Sequence, residues 1–261
     1  MTAIGIIARW VVLEVVRRKD GYVLLVLLLA MLVGLAGVNA FGIGGSARYV
    51  KDAGLSLAWL FSVVLAIPVA ARQLPQGERT GTVFVLLSKP VARSQLILGA
   101  WLGSTAAVGL AVAAFYATVA GAAALMGGRW SMDVAAQALA LHLAATGLFV
   151  ALTLALSTRL SSGAAQTIAF VILGFCFAFV PDIPQVLVHG RGFSSHALLV
   201  LYYGLPHLEI FDLRPRLVHD GGPAPWGAVA AAFGYGLCWI GALLGAGIHS
   251  YRRRYFRRPT S

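Results

Sequence analysis

The chain has 261 residues, of which 59% are apolar and 11% charged, with a formal net charge of +11; an ordinary soluble domain carries roughly 25% charged residues. So few charges exclude a water-soluble globular protein. No basic stripe lies outside the flanks of the apolar runs, so the positive balance calls for no nucleic-acid partner.

Asp, Glu, Lys and Arg are absent from residues 21–47, 53–71, 94–128, 134–158, 160–181 and 221–251. A helix needs roughly 20 apolar residues to cross the hydrocarbon. Barrel strands would show alternating segments of about 10 residues instead. These runs predict an all-α, polytopic membrane bundle with six transmembrane helices in a single transmembrane domain, 1–261. Cys176 and Cys238 fall inside apolar runs with no CxxC spacing, which reads as packing and not as a disulfide or metal pair.

Residues 1–20 come first. Ile4, Ile7, Ala8, Val11 and Val15 recur at helical spacing, and Glu14 precedes Arg17 and Arg18 by three and four residues. The pattern predicts an interfacial helix along the cytoplasmic face; Ile6, Trp10, Val12 and Val16 widen its apolar side enough to pack partly on protein. The first span follows over 22–43. Val38-Asn39-Ala40 loosely resembles a signal cleavage site, but the preceding apolar run is longer than the roughly 7–15 residues of a signal core, so a retained span is expected.

The second span is expected over 55–71 and the third over 96–126. The inner loop 72–95 lies between them, where Pro75 and Gly77 are expected to break the preceding helix and Glu78 and Thr80 to start a short new one ended by Pro90. Its apolar side chains Val83, Phe84, Leu86 and Leu87 require a surface, either a protein partner or the lipid interface. Spans four to six are expected over 134–156, 164–180 and 228–250. Trp130 and Trp226 mark outer ends and Trp101 an inner one, as belt residues do. In the outer loop 181–227, Ala197–Leu205 is apolar but too short to cross, hence re-entrant or interfacial. Gly99/Gly103 and Gly241/Gly245 each place two small residues on one helix face, permitting close helix contact.

With six spans and the N-terminus inside, the cytoplasmic segments hold fourteen basic residues against three acidic ones, and the opposite side six against six. The Lys/Arg excess puts both termini in the cytoplasm, and anionic headgroups attract the net charge there. The expected location is a membrane that borders the cytoplasm.

Chemistry within the chain is sparse. His142 is the one histidine deep in a span and reads as bonded to a neighbouring helix, whereas ion-coupled transport needs ionisable groups at depth. Asn39 reads as helix-to-helix glue. A phosphate loop requires glycine before its lysine, but Lys19, Lys51 and Lys89 follow Arg18, Val50 and Ser88. No catalytic residue is expected and no cofactor in this chain. The serines of Leu160–Gly163 and Gly192–His196 lack the Gly-x-Ser-x-Gly elbow of a hydrolase and read as loops. The outer histidines 189, 196, 207 and 219, with Glu209, Asp212 and Asp220, lack the tight spacing of a metal site.

The N-terminal helix with Glu14 before Arg17-Arg18, the loop Glu78-x-x-Gly81-Thr82 through Leu86-Leu87-Ser88-Lys89-Pro90-Val91-x-Arg93, Leu98-Gly99, and the outer segment Leu201–Arg214 resemble permease subunits of type-2 ATP-binding-cassette (ABC) transporters. The likeness is to the six-span bacterial branch that includes the nitrous-oxide-reductase maturation permease. It implies that Glu78, Arg79, Thr80, Gly81, Thr82, Val83, Phe84, Leu86 and Leu87 form a cytoplasmic coupling helix, with Glu14, Arg17 and Arg18 beside it. That helix would dock on a separate ABC ATPase subunit holding ATP and Mg, and a second permease copy would complete the path. The outer segment with Tyr202, Tyr203, Pro206 and Glu209 would cap it. The likeness to the bacterial branch implies a bacterial inner membrane, and export is the expected direction. The rival readings are a non-transporting scaffold or assembly factor for a periplasmic protein, which would bring an accessory partner, and an integral enzyme.

Overall fold

The computed structural model describes residues 3–17, 20–40, 47–79, 92–184 and 193–253, and every regular element among them is helical. In chain order these are α1 (Ala3–Arg17), α2 (Asp20–Ala40), α3 (Ala47–Arg79), α4 (Arg93–Leu125), α5 (Met132–Ser157), α6 (Ser162–Ala178), α7 (Phe193–Gly204), α8 (Arg214–Val218) and α9 (Trp226–Arg252). Short 3-10 turns cover Val180–Asp182 and Leu208–Phe211. Five stretches are long and apolar enough to cross a membrane: Ala47–Pro75, Arg93–Leu125, Met132–Ser157, Ser162–Asp182 and Trp226–Arg252. α2 adds 21 residues with one charge, Asp20, at its start.

α5 is the axis of the bundle and packs against α3, α4, α6 and α9, while α3 also packs on α4 and α6. Burial follows from that position: Leu141, Ala145, Leu148, Phe149, Val150 and Ala151 of α5 are enclosed. Hydrophobicity alone cannot order such helices in lipid, so close fit and hydrogen bonds must do it. Trp101 donates its indole N–H to the Gly147 carbonyl of α5 at 2.9 Å. At Gly247 an added Cβ would lie 3.3 Å from Ala155 Cα, so α9 and α5 touch backbone to backbone there.

The α1 face predicted from spacing is the one that docks. Ile7 and Val11 are buried, whereas Ile6, Trp10 and Leu13 remain exposed. They rest on the Gly99/Gly103 pair of α4: a Cβ at Gly99 would meet Ile7 Cβ at 2.7 Å, and one at Gly103 would meet Val11 Cβ at 2.6 Å. Around Gly241 and Gly245 nothing lies within 4 Å, so only the first pair makes a contact among the described residues.

One expectation is overturned. Helix α3 does not break at Pro75 and Gly77 but continues through Pro68 and Pro75 to Arg79. A proline interrupts one hydrogen bond and disfavours the helix locally, yet Ala71 and Leu74 are buried immediately before it, and neighbouring packing sustains prolines in membrane helices. The α3 and α4 helices each have 33 residues, about 50 Å at 1.5 Å per residue, well beyond a hydrocarbon core of about 30 Å.

Local chemistry fixes the ends. Gln95 reaches back to accept the Ala92 N–H at 3.0 Å, half of a capping box. Ser161 caps α6 by accepting from the Ala164 N–H, which gives one serine of the 160–163 turn a structural task. At the C-terminal end of α9, Arg93 donates to the Tyr251 and Arg252 carbonyls at 3.2 and 3.0 Å. Cations there satisfy the last carbonyls and oppose the helix dipole. Cys176 and Cys238 are free thiols.

Candidate functional site

The segment 207–224 is fastened to the bundle at several points, and these ties place Arg214. Lys51, buried on α3, donates to Asp220 Oδ1 at 3.0 Å and to the Leu217 carbonyl at 3.4 Å. Gln137 of α5 exchanges two bonds with the backbone of Ala224, at 2.8 and 3.0 Å. The His207 N–H donates to the Tyr235 hydroxyl at 3.0 Å, and that hydroxyl lies 3.1 Å from His207 Nδ1. Asp212 accepts the Arg214 N–H at 2.9 Å, an Asx turn that opens α8.

Arg214 then turns towards α3. Its Nε and Nη2 grip Asp212 at 2.6–2.9 Å, and Nη1 donates to Ser56 Oγ at 2.9 Å. The guanidinium also faces the Trp59 ring, 5.8 Å from its centroid, a cation–π distance. Burial by itself would lower the Arg214 pKa. The hydrogen bonds and charge of Asp212, with Asp52 and Tyr116 acting in the same sense, leave it above its ordinary value.

Behind Trp59 lies a closed polar chain. The His142 ring stacks on Trp59 at 4.2 Å. Ser62 Oγ donates its one proton to the Trp59 carbonyl at 2.7 Å, so the His142 Nε2···Ser62 contact of 2.9 Å must have Nε2–H as donor. That leaves Nδ1 to accept from the Tyr116 hydroxyl at 3.4 Å. Every group is satisfied with a single ring proton, and His142, Ser62 and Tyr116 tie α5, α3 and α4 together. This is the bonded histidine expected from the sequence.

In front of Trp59 a cleft of about 350 Å³ opens between α3 and α6. Trp59, Leu60 and Val63 form one wall, and Phe170, Gly174 and Phe177 the other. Ser56 and Arg214 are its polar end. Phe177 meets Trp59 edge to face at 5.7 Å, which closes the aromatic corner.

The residues expected to carry function are distributed differently. Glu14 is half-buried on α1, and Arg17 ends that helix. Glu78 and Arg79 are the last residues of α3 rather than the start of a new helix. Arg18, Thr80, Gly81, Thr82, Val83, Phe84, Leu86 and Leu87 lie outside the described residues. Tyr202 is half-buried near the end of α7, with its ring edge-on to Tyr203 and His207. Tyr203 and Glu209 are exposed and Pro206 is buried. The 12 residues of α7 span about 18 Å, too little to cross. Among the described residues no three His, Cys, Asp or Glu side chains gather as a metal site. Sequence reasoning missed Trp59, Ser56 and Arg214 as a unit, since 158 positions separate Arg214 from Ser56. The one available signal was the acid–base pair Asp212-x-Arg214 beside an apolar run.

A family model described as ABC-2 family transporter protein matches residues 13–257, nearly the whole chain. A comparison with curated proteins returns no match. A multi-pass helical bundle over this range fits a membrane permease, whose family places ATP hydrolysis in a partner. The chain belongs to the ABC-2 transporter family, as the permease component of an ABC transporter.

Proposed function

We propose that the chain crosses the membrane six times, with α2 as the first crossing, α1 along the cytoplasmic surface and both termini inside. On this reading it exports its substrate as one half of a permease dimer. The segment that begins with Glu78 and Arg79 and runs through Phe84 to Leu87 is its contact with a separate ABC ATPase. The outer segment 201–214 favours the bacterial branch that includes the nitrous-oxide-reductase maturation permease.

The observation that carries the reading is His142. Both ring nitrogens are engaged by Ser62 and Tyr116, so the histidine at depth serves packing, whereas ion coupling needs an ionisable group free to bind its ion. The driving energy must then come from a partner, and the charge balance turns the inner loop towards the cytosol where that partner works.

Co-expression with the cognate ATPase is the test. The wild-type chain retains the ATPase through purification, and Phe84→Asp or Leu87→Asp releases it. A complex that survives replacement of Glu78, Phe84 and Leu87 together would remove the coupling assignment. A scaffold would bind partners without stimulating nucleotide hydrolysis.

A further inference from the structure

We propose that the cleft between α3 and α6 binds an uncharged amphiphile of the glyceride type, whose oxygen-bearing end accepts hydrogen bonds from Arg214 while its apolar chain lies along Trp59, Phe170 and Phe177. The proposal deepens the permease reading and rests on it for the claim that such a molecule is cargo; binding is measurable without the ATPase.

Polarity sets the orientation of the ligand. The cleft's polar groups, Ser56 and Arg214, stand at its outer end, and the remaining lining is aliphatic or aromatic save for the bare backbone of Gly174. From Ser56 to Val64 the wall runs eight residues along α3, about 12 Å. A volume of about 350 Å³ falls within the range of small-molecule sites. Leu60 is 57% exposed, so the cleft opens sideways and a chain can continue past it.

Donor count sets the recognition. A guanidinium has five N–H groups; Asp212 takes the one on Nε and one on Nη2, and Ser56 takes one on Nη1. One N–H on each terminal nitrogen takes no acceptor among the described residues, and Arg214 lines the cleft.

Charge sets the class. Asp212 cancels the arginine at contact distance, and Asp52 adds a further negative charge to its field. An anionic head therefore meets no net positive potential. A cationic head would compete with Arg214 for the face of Trp59, already occupied at 5.8 Å. An oxygen acceptor without charge is the complement that remains.

The test is quenching of tryptophan fluorescence in phosphatidylcholine nanodiscs by a monoacylglycerol brominated in mid-chain, compared with the matching brominated fatty acid. The saturable component of the quenching should vanish in Trp59→Phe and be reached at lower concentration for the monoacylglycerol, by about fivefold or more. It should change little between low and high salt, since no ion pair is formed. Gly174 lines the cleft and has nothing within 4 Å of its Cβ position, so Gly174→Leu puts its side chain into open space there and should weaken binding about tenfold. Arg214→Lys keeps a cation for Asp212 but lacks the planar fork, and should weaken it several-fold. Tighter binding of the fatty acid, or full affinity in Gly174→Leu, overturns the proposal. If binding behaves as stated but the reconstituted complex moves no monoacylglycerol, the cleft assignment stands and its role as cargo path falls.

Discussion

Trp59 stands between two polar systems, the His142–Ser62–Tyr116 chain behind it and the Arg214–Asp212 pair before it. Removing one member of a buried hydrogen-bond chain strands its partner and costs about 1–3 kcal/mol. Ser62→Ala takes away the acceptor of the His142 Nε2–H, made at 2.9 Å, whereas Tyr116→Phe removes the longer 3.4 Å contact. Ser62→Ala should therefore lower the melting temperature in detergent more than Tyr116→Phe, and the opposite order would contradict the greater weight given to the shorter contact. His142 was legible because a lone histidine in an apolar run must find a partner. Its actual partners were not, since Ser62 and Tyr116 lie 80 and 26 positions away, and only the packing of three helices brings them to one point.

Helices were the most legible features. Charge-free runs located α2 to α6 and α9 to within a few residues at most ends, because each unit of hydrocarbon thickness demands its quota of apolar residues. The exceptions have physical causes. Both ends of α3 exceed the run: Arg48, Lys51 and Asp52 remain helical at the outer end, where Lys51 is paired with Asp220, and Pro75 is carried by packing around Leu74. Sequence treated the two small-residue pairs alike, and the structure separates them. Leu at Gly99 or Gly103 would overlap α1, and such overpacking costs typically about 1–3 kcal/mol. Those variants should lose thermal stability and expose α1 to proteolysis. Leu at Gly241 or Gly245 should leave stability within about 0.5 kcal/mol. Equal loss at all four positions, read by thermal unfolding of the purified protein, would contradict the docking of α1 on α4.

For the whole molecule, the number of crossings decides which side the ends occupy. Six crossings leave both termini on one side of the membrane; five leave them apart. In a variant with Cys176 and Cys238 replaced by Ala, Ser88→Cys should react with a membrane-impermeant reagent only from the cytoplasmic side, and His219→Cys only from the other. Terminal tags should both be cytoplasmic. The segment 181–227 was less legible as a body: it read as a loop with one apolar stretch, whereas its part 207–224, with α8, is held by Lys51, Gln137 and Tyr235. Central to the account is a bundle that leaves its source of energy to a partner docked on the inner loop. Hydrolysis of ATP by the cognate ATPase, alone and co-reconstituted with the chain, measures that directly. The account predicts a rate that rises severalfold with wild-type chain and returns to the ATPase-alone value with Phe84→Asp, and an equal rate with and without the chain would contradict it.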